Sequence, residues 1–156
     1  MFLTDPGMVP IPNKPDLIWL DGPLVYRTVA GVTITIPEGF VSDDASVPKF
    51  LDFIPFLDRQ GLSRRPGLLH DGLYALGRGK GKDYCDAILQ EACIAEGMTP
   101  FEAGCYFKAV QWFGASSWAQ DSQEGNYGVV ESGEFITDAR YLSWVATGST
   151  VFSKGP

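Results

Sequence analysis

The chain has 156 residues, 45% hydrophobic and 20% charged, with a net charge of −7. That length fits one domain, alone or with an appendage, and can bury a core without a metal or disulfide staple. The acidic balance argues against a nucleic-acid surface, which needs clustered Lys and Arg, and against electrostatic docking on an anionic membrane.

Residues 1–16 carry Pro6, Pro10, Pro12 and Pro15. Each fixes φ and removes an N–H donor, so this is an extended arm, not a helix, and lies across a partner or across its own domain. The arm has no basic stretch leading into an apolar run, so it is not read as a secretory signal. Residues 17–42 read as β. LIWL, PLVYRTV, VTITIP and GFV are rich in β-branched and aromatic residues, with Asp21-Gly22 and Ala30-Gly31 as turns. A small antiparallel sheet of three or four short strands is expected. Residues 43–62 are mostly loop, with Pro48 and Pro55 limiting one short helical piece.

Three helices follow over about 64–118. The first spans about 64–76, capped by Ser63 and ended by Gly77. The second spans about 82–96, ended by Gly97. The third starts with Thr99 as N-cap, Pro100 in the first position and Glu102 closing a capping box, and runs to about Trp112 or Ala119. Cys85, Cys93 and Cys105 fall in these helices without CxxC spacing, which reads as free thiols made in a reducing cytoplasm. No apolar run approaches the ~18 residues of a membrane-spanning helix. Residues 119–156 change character: QDSQEGNYG is polar, and EFITDARYLSWV and STVFS are short strands or an extended arm. The expected class is α+β. The arm 1–16 precedes a single globular domain 17–118, and 119–156 form a C-terminal extension.

The chemistry centres on LLHDGLYA, residues 68–75, which holds the only histidine. His70 and Tyr74 are four apart and share a helix face, while Asp71 lies about 100° further round. Leu68, Leu69, Leu73 and Leu76 fill most of the rest, so the helix is buried nearly all round. Buried His and Asp side chains need partners. On the second helix Cys85, Ile88, Leu89, Ala92 and Ala95 make an apolar stripe with Asp86 at its margin. Antiparallel packing of the two helices would bring Asp86 to one imidazole nitrogen, fixing the tautomer and raising the basicity of the other. His70 could then act as a general base on a water, with Asp71 and loop oxygens, Asp43 among them, able to hold calcium. The same His-Asp-Tyr set is equally an ordinary way to satisfy buried polar groups between helices.

Other patterns are weaker. GRGKGKD lacks the preceding strand and the GK[ST] ending of a P-loop and reads as a solvated connection. Ser46 in DASVP is not a nucleophile on a GxSxG turn and suits a turn or cap hydrogen bond. Tyr106, Phe107, Trp112, Phe113 and Trp118 follow helical spacing, as core or as a subunit interface rather than a base-stacking surface.

Over about residues 23–114, IPEGFVSDDASVP, LLHDGLYALG and KDYCDAILQEACIAEGM resemble an uncharacterised family found mainly in tailed bacteriophages and prophages. Its pattern is IPxGFxTDxASVP, HDxLY and RxxADxxF. Asp43, Ser46, Pro48, His70, Asp71, Tyr74 and Asp86 match it. Ser42 replaces Thr, Lys82 replaces Arg, Cys85 replaces Ala and Leu89 replaces the aromatic. The resemblance implies a virion structural or assembly protein of the tail or connector region, made in the host cytoplasm. Its terminal arms would engage other phage structural proteins or further copies of itself in a homo-oligomer. A second, local likeness is to secretory phospholipases, which carry His-Asp on a helix, a Tyr four after the His and an Asp from an antiparallel helix. It implies a hydrolase of an ester or amide bond of the host envelope, with His70 as base, Asp86 as its brace, and Asp71 and Tyr74 in support. The chain lacks the disulfides and glycine-rich calcium loop of those enzymes.

Overall fold

A computed structural model describes residues 1–11, 14–42, 61–76, 80–120, 128–131, 134–137 and 152–154. The strands are Met8–Ile11 (β1), Lys14–Leu20 (β2), Leu24–Arg27 (β3), Val32–Ile36 (β4), Val41–Ser42 (β5), Gly128–Glu131 (β6), Glu134–Thr137 (β7) and Phe152–Lys154 (β8). The helices are Arg64–Leu76 (α1), Lys82–Glu96 (α2), Pro100–Phe113 (α3) and Ala115–Gln120 (α4). The class is α+β, as the sequence implies.

The strands before the helices belong to two antiparallel sheets rather than one, ordered β1-β2-β5 and β3-β4-β8. The corner at Asp21-Gly22-Pro23 explains the split. The N–H of Asp21 bonds to the carbonyl of Gly7 and that of Leu20 to the carbonyl of Phe40. The end of β2 is thus held by its own sheet, and β3 starts a new one. In the β3–β4 hairpin Leu24 faces Ile36 and Tyr26 faces Ile34. All four are buried, while the alternate residues Val25, Thr33 and Thr35 are less so, the period-2 pattern of a half-buried sheet. Gly31, at φ 79°, closes the turn between them.

The proline-rich start lies across its own domain. Leu3 donates to the carbonyl of Val25 at 2.8 Å, the Phe2 and Tyr26 rings are 4.9 Å apart, and β1 pairs with β2. Pro10 is tolerated in β1 because that strand is a sheet edge. From the other end, β8 pairs with β4, and β6 and β7 form a hairpin of their own.

The helix boundaries agree with the capping signals. Thr99 and Glu102 form the reciprocal capping box with Pro100 in the first turn, and Gly97 ends α2 at φ 109° in the left-handed region. Ser63 is buried at the start of α1, its carbonyl accepting the Gly67 N–H at 2.7 Å. Gly77 lies outside the described residues. α3 stops at Phe113, and after Gly114 the chain resumes as α4. One core lies between the sheets and the helices, where Leu20, Tyr26, Ile34 and Ile36 meet Leu69 and Leu73. A second lies between α2 and α3, built from Leu89, Cys93, Ala103, Tyr106 and Val110 with Met98.

Candidate functional site

α1 is placed by its apolar surfaces. Leu68, Leu69, Leu73 and Leu76 are all buried, and Gly72 lets the helix lie directly on β4. A Cβ there would stand 2.5 Å from Cδ1 of Ile36. His70 and Tyr74 share the face turned toward α2, with ring centroids 4.0 Å apart.

α2 runs antiparallel to α1: Arg65 pairs with Glu96 at one end, and His70 and Leu73 meet Asp86 and Cys85 at the other. This brings Asp86 to His70 as the sequence suggested, but deeper than the margin of a stripe, since Asp86 is 0% exposed. Its Oδ1 lies 3.0 Å from His70 Nε2 and accepts the Tyr74 hydroxyl at 2.6 Å. Its Oδ2 accepts from Lys82 Nζ at 2.6 Å. Lys82 also donates to the carbonyl of Val110 at 2.9 Å, which ties the cluster to α3. Trp118 of α4 packs its ring edge-on to Tyr74 at 5.0 Å. Gly114 makes room at the junction: a Cβ there would meet the Val110 carbonyl and stand 2.8 Å from the Tyr74 hydroxyl.

Burial opposes the charge on Asp86, but hydrogen bonds from His70, Lys82 and Tyr74 outweigh it and hold the carboxyl below its ordinary value. For His70 burial prevails. It pushes the imidazole below its ordinary value against the pull of Asp86, and the Lys82 ammonium adds to the push. The neutral ring then donates from Nε2 to Asp86, so its tautomer is set by the carboxylate. The cluster holds one buried anion, one ammonium and a neutral imidazole, a balance that needs no further counter-ion.

Asp71 points away from this cluster. It is half-buried and accepts the Ser42 hydroxyl of β5 at 2.7 Å, linking α1 to the first sheet. Asp43, Ser46 and Pro48 lie outside the described residues. Among the described residues no group of three or more His, Cys, Asp or Glu is placed to hold a metal ion, and no helix is long and apolar enough to cross a membrane. Cys85, Cys93 and Cys105 are free thiols.

The structure thus joins His70, Tyr74 and Asp86, and sets Asp71 with Ser42. Lys82 is the member that sequence reasoning missed: in the GRGKGKD run Lys80 and Asp83 are exposed as expected, but Lys82 between them turns inward to Asp86. The signal was present in two forms: the i,i+4 spacing of Lys82 and Asp86, and the cation at the matching position of the family pattern. Also missed was Glu91, which accepts from the Tyr26 hydroxyl at 2.8 Å and from the Val29 N–H at 2.9 Å, pinning α2 to the β3–β4 hairpin.

A family model described as a protein of unknown function (DUF1353) matches residues 18–110. No curated protein and no solved structure matches the chain.

Proposed function

The chain belongs to the DUF1353 family of unknown function, whose model covers more than half of it, and on that premise we propose that it is a structural or assembly protein of a bacteriophage particle, in the tail or connector region. The observation that carries the proposal is the saturation of Asp86, a fully buried carboxylate with three side-chain donors from α1 and α2. Residues of the family pattern here join helices. His70 is only 5% exposed, and a base needs a path to its substrate. The phage setting comes from the three-part motif, which the chain carries in order. The outward aromatic surface of α3, with Phe101, Trp112 and Phe113 in water, suits a subunit that packs against neighbours. Synthesis in the host cytoplasm fits the three free thiols. Mass spectrometry of purified particles should find this chain in stoichiometric amount, and its absence overturns the proposal.

One observation favours a phage-encoded hydrolase as the second reading. With Nε2 committed to Asp86, Nδ1 of His70 is the basic nitrogen, the arrangement a histidine base requires. On that reading His70→Ala abolishes hydrolysis of envelope esters or amides while the melting temperature barely moves. On the structural reading the same change lowers the melting temperature and no hydrolysis is found to lose.

A further inference from the structure

α3 is apolar on both sides. Its inner face, Ala103, Tyr106, Ala109 and Val110, is buried against the rest of the molecule. Its outer face is not polar, as that of a solvated helix should be. Phe101 is 70% exposed and Trp112 72%. With Cys105 and Lys108 they form a line at spacings of 4, 3 and 4 residues, the seam of a helix that packs along another helix.

We propose that this seam is the interface of a symmetric dimer, in which α3 of one copy packs antiparallel on α3 of a second. The pattern is self-complementary. A two-fold axis between Cys105 and Lys108 sets Phe101 of each copy against Trp112 of the other, about 16 Å apart along each helix, and an isologous contact needs that kind of match. The aromatic side chains stand at the ends and the small Cys105 beside the axis, so the backbones can approach. Charge selects a second copy too. The chain carries −7, yet from Phe101 to Gln120 the only charged residues are Glu102, beside the seam with its carboxylate held by the Thr99 N–H and hydroxyl, and Lys108. The only charge on the seam, the Lys108 ammonium, is turned to the flank, over the Phe107 ring and within 3.3 Å of Gln111 Oε1. Two acidic molecules can therefore meet here without opposing carboxylates. The proposal stands apart from the virion reading, because the dimer forms whether or not a particle contains it.

Two measurements on the full chain test it. In analytical ultracentrifugation at micromolar concentration the wild type sediments as a dimer. Phe101→Glu and Trp112→Glu sediment as monomers with unchanged circular dichroism. Treatment with a short bismaleimide gives a covalent dimer that Cys105→Ser loses, since Cys85 and Cys93 are buried and the two Cys105 residues lie about 4.5 Å apart along the axis direction. A wild type that sediments as a monomer, a dimer indifferent to both glutamate substitutions, or a dimer that does not cross-link through Cys105 overturns the proposal. So does a monomer whose α3 is covered only when a different protein is added.

Discussion

Asp86 is the residue on which most of the helical packing converges. Removing it leaves the Lys82 ammonium half-buried without its carboxylate, and takes the partner from His70 and Tyr74. Breaking a buried pair on one side costs about 3–5 kcal/mol, so Asp86→Ala should shift the urea midpoint strongly or prevent folding. Lys82→Met, which keeps the stem but removes the ammonium, should cost a similar amount, because it leaves the fully buried Asp86 carboxylate without the cation that balances it. The pH dependence has a definite sign. The folded state lowers the His70 pKa below its ordinary 6.5, so that contribution is complete above about 6.5 and is lost as the pH falls below it. The Asp86 carboxyl is likewise held below its ordinary 3.8, so a second loss follows below that value. Urea titrations from pH 8 to pH 5 should show falling stability in the wild type and a flat profile over the same range in His70→Gln.

At the scale of elements, the helices were legible from the chain and the sheet partners were not. Helix ends depend on residues within a few positions of one another. Thr99, Pro100 and Glu102 fix one terminus, and Gly97 fixes another by taking a conformation that other residues resist. Gly97→Ala should therefore lower stability by about 1 kcal/mol, visible as a lower urea midpoint with an unchanged slope. The pairing of β1 with β2 and of β8 with β4 joins segments whose local pattern names no partner, so a single sheet was expected where two exist. The site was legible to the same degree. His70, Tyr74 and Asp86 follow from one helix face and one out-of-place carboxylate. Lys82 was masked by the glycines and lysines before it, which look like a solvated loop. Gly114 shows the limit of local reading: its lack of a side chain spares not only the Val110 carbonyl four positions back but also the hydroxyl of Tyr74, forty positions away. Gly114→Ala should disturb the Tyr74 hydroxyl and lower the melting temperature, whereas Gly104→Ala, with only the Gln90 amide nearby at 3.8 Å, should leave it almost unchanged.

On the scale of the whole molecule, the first eleven residues belong to the folded body. Phe2 packs its ring at a tilt against Tyr26 and lies 5.0 Å from the Arg65 guanidinium, which itself binds Glu96 and Asp5. Deleting residues 1–11 should lower the melting temperature, by about 2–4 °C for each kcal/mol lost in a protein of this size. A truncated chain that melts like the full one would show that the segment merely rests on the surface.

The strand that completes the second sheet enters late. β4 pairs with β8 through contacts such as Val32 with Lys154 and Ile34 with Phe152, roughly 120 positions apart along the chain. During translation the outer edge of β4 must therefore wait, unpaired, until roughly 120 further residues have left the ribosome, and so distant a closure slows that step of folding. In that interval the open edge offers a template to any other nascent chain, so the yield of native protein should depend on synthesis rate and on chaperone supply more than its final stability would suggest.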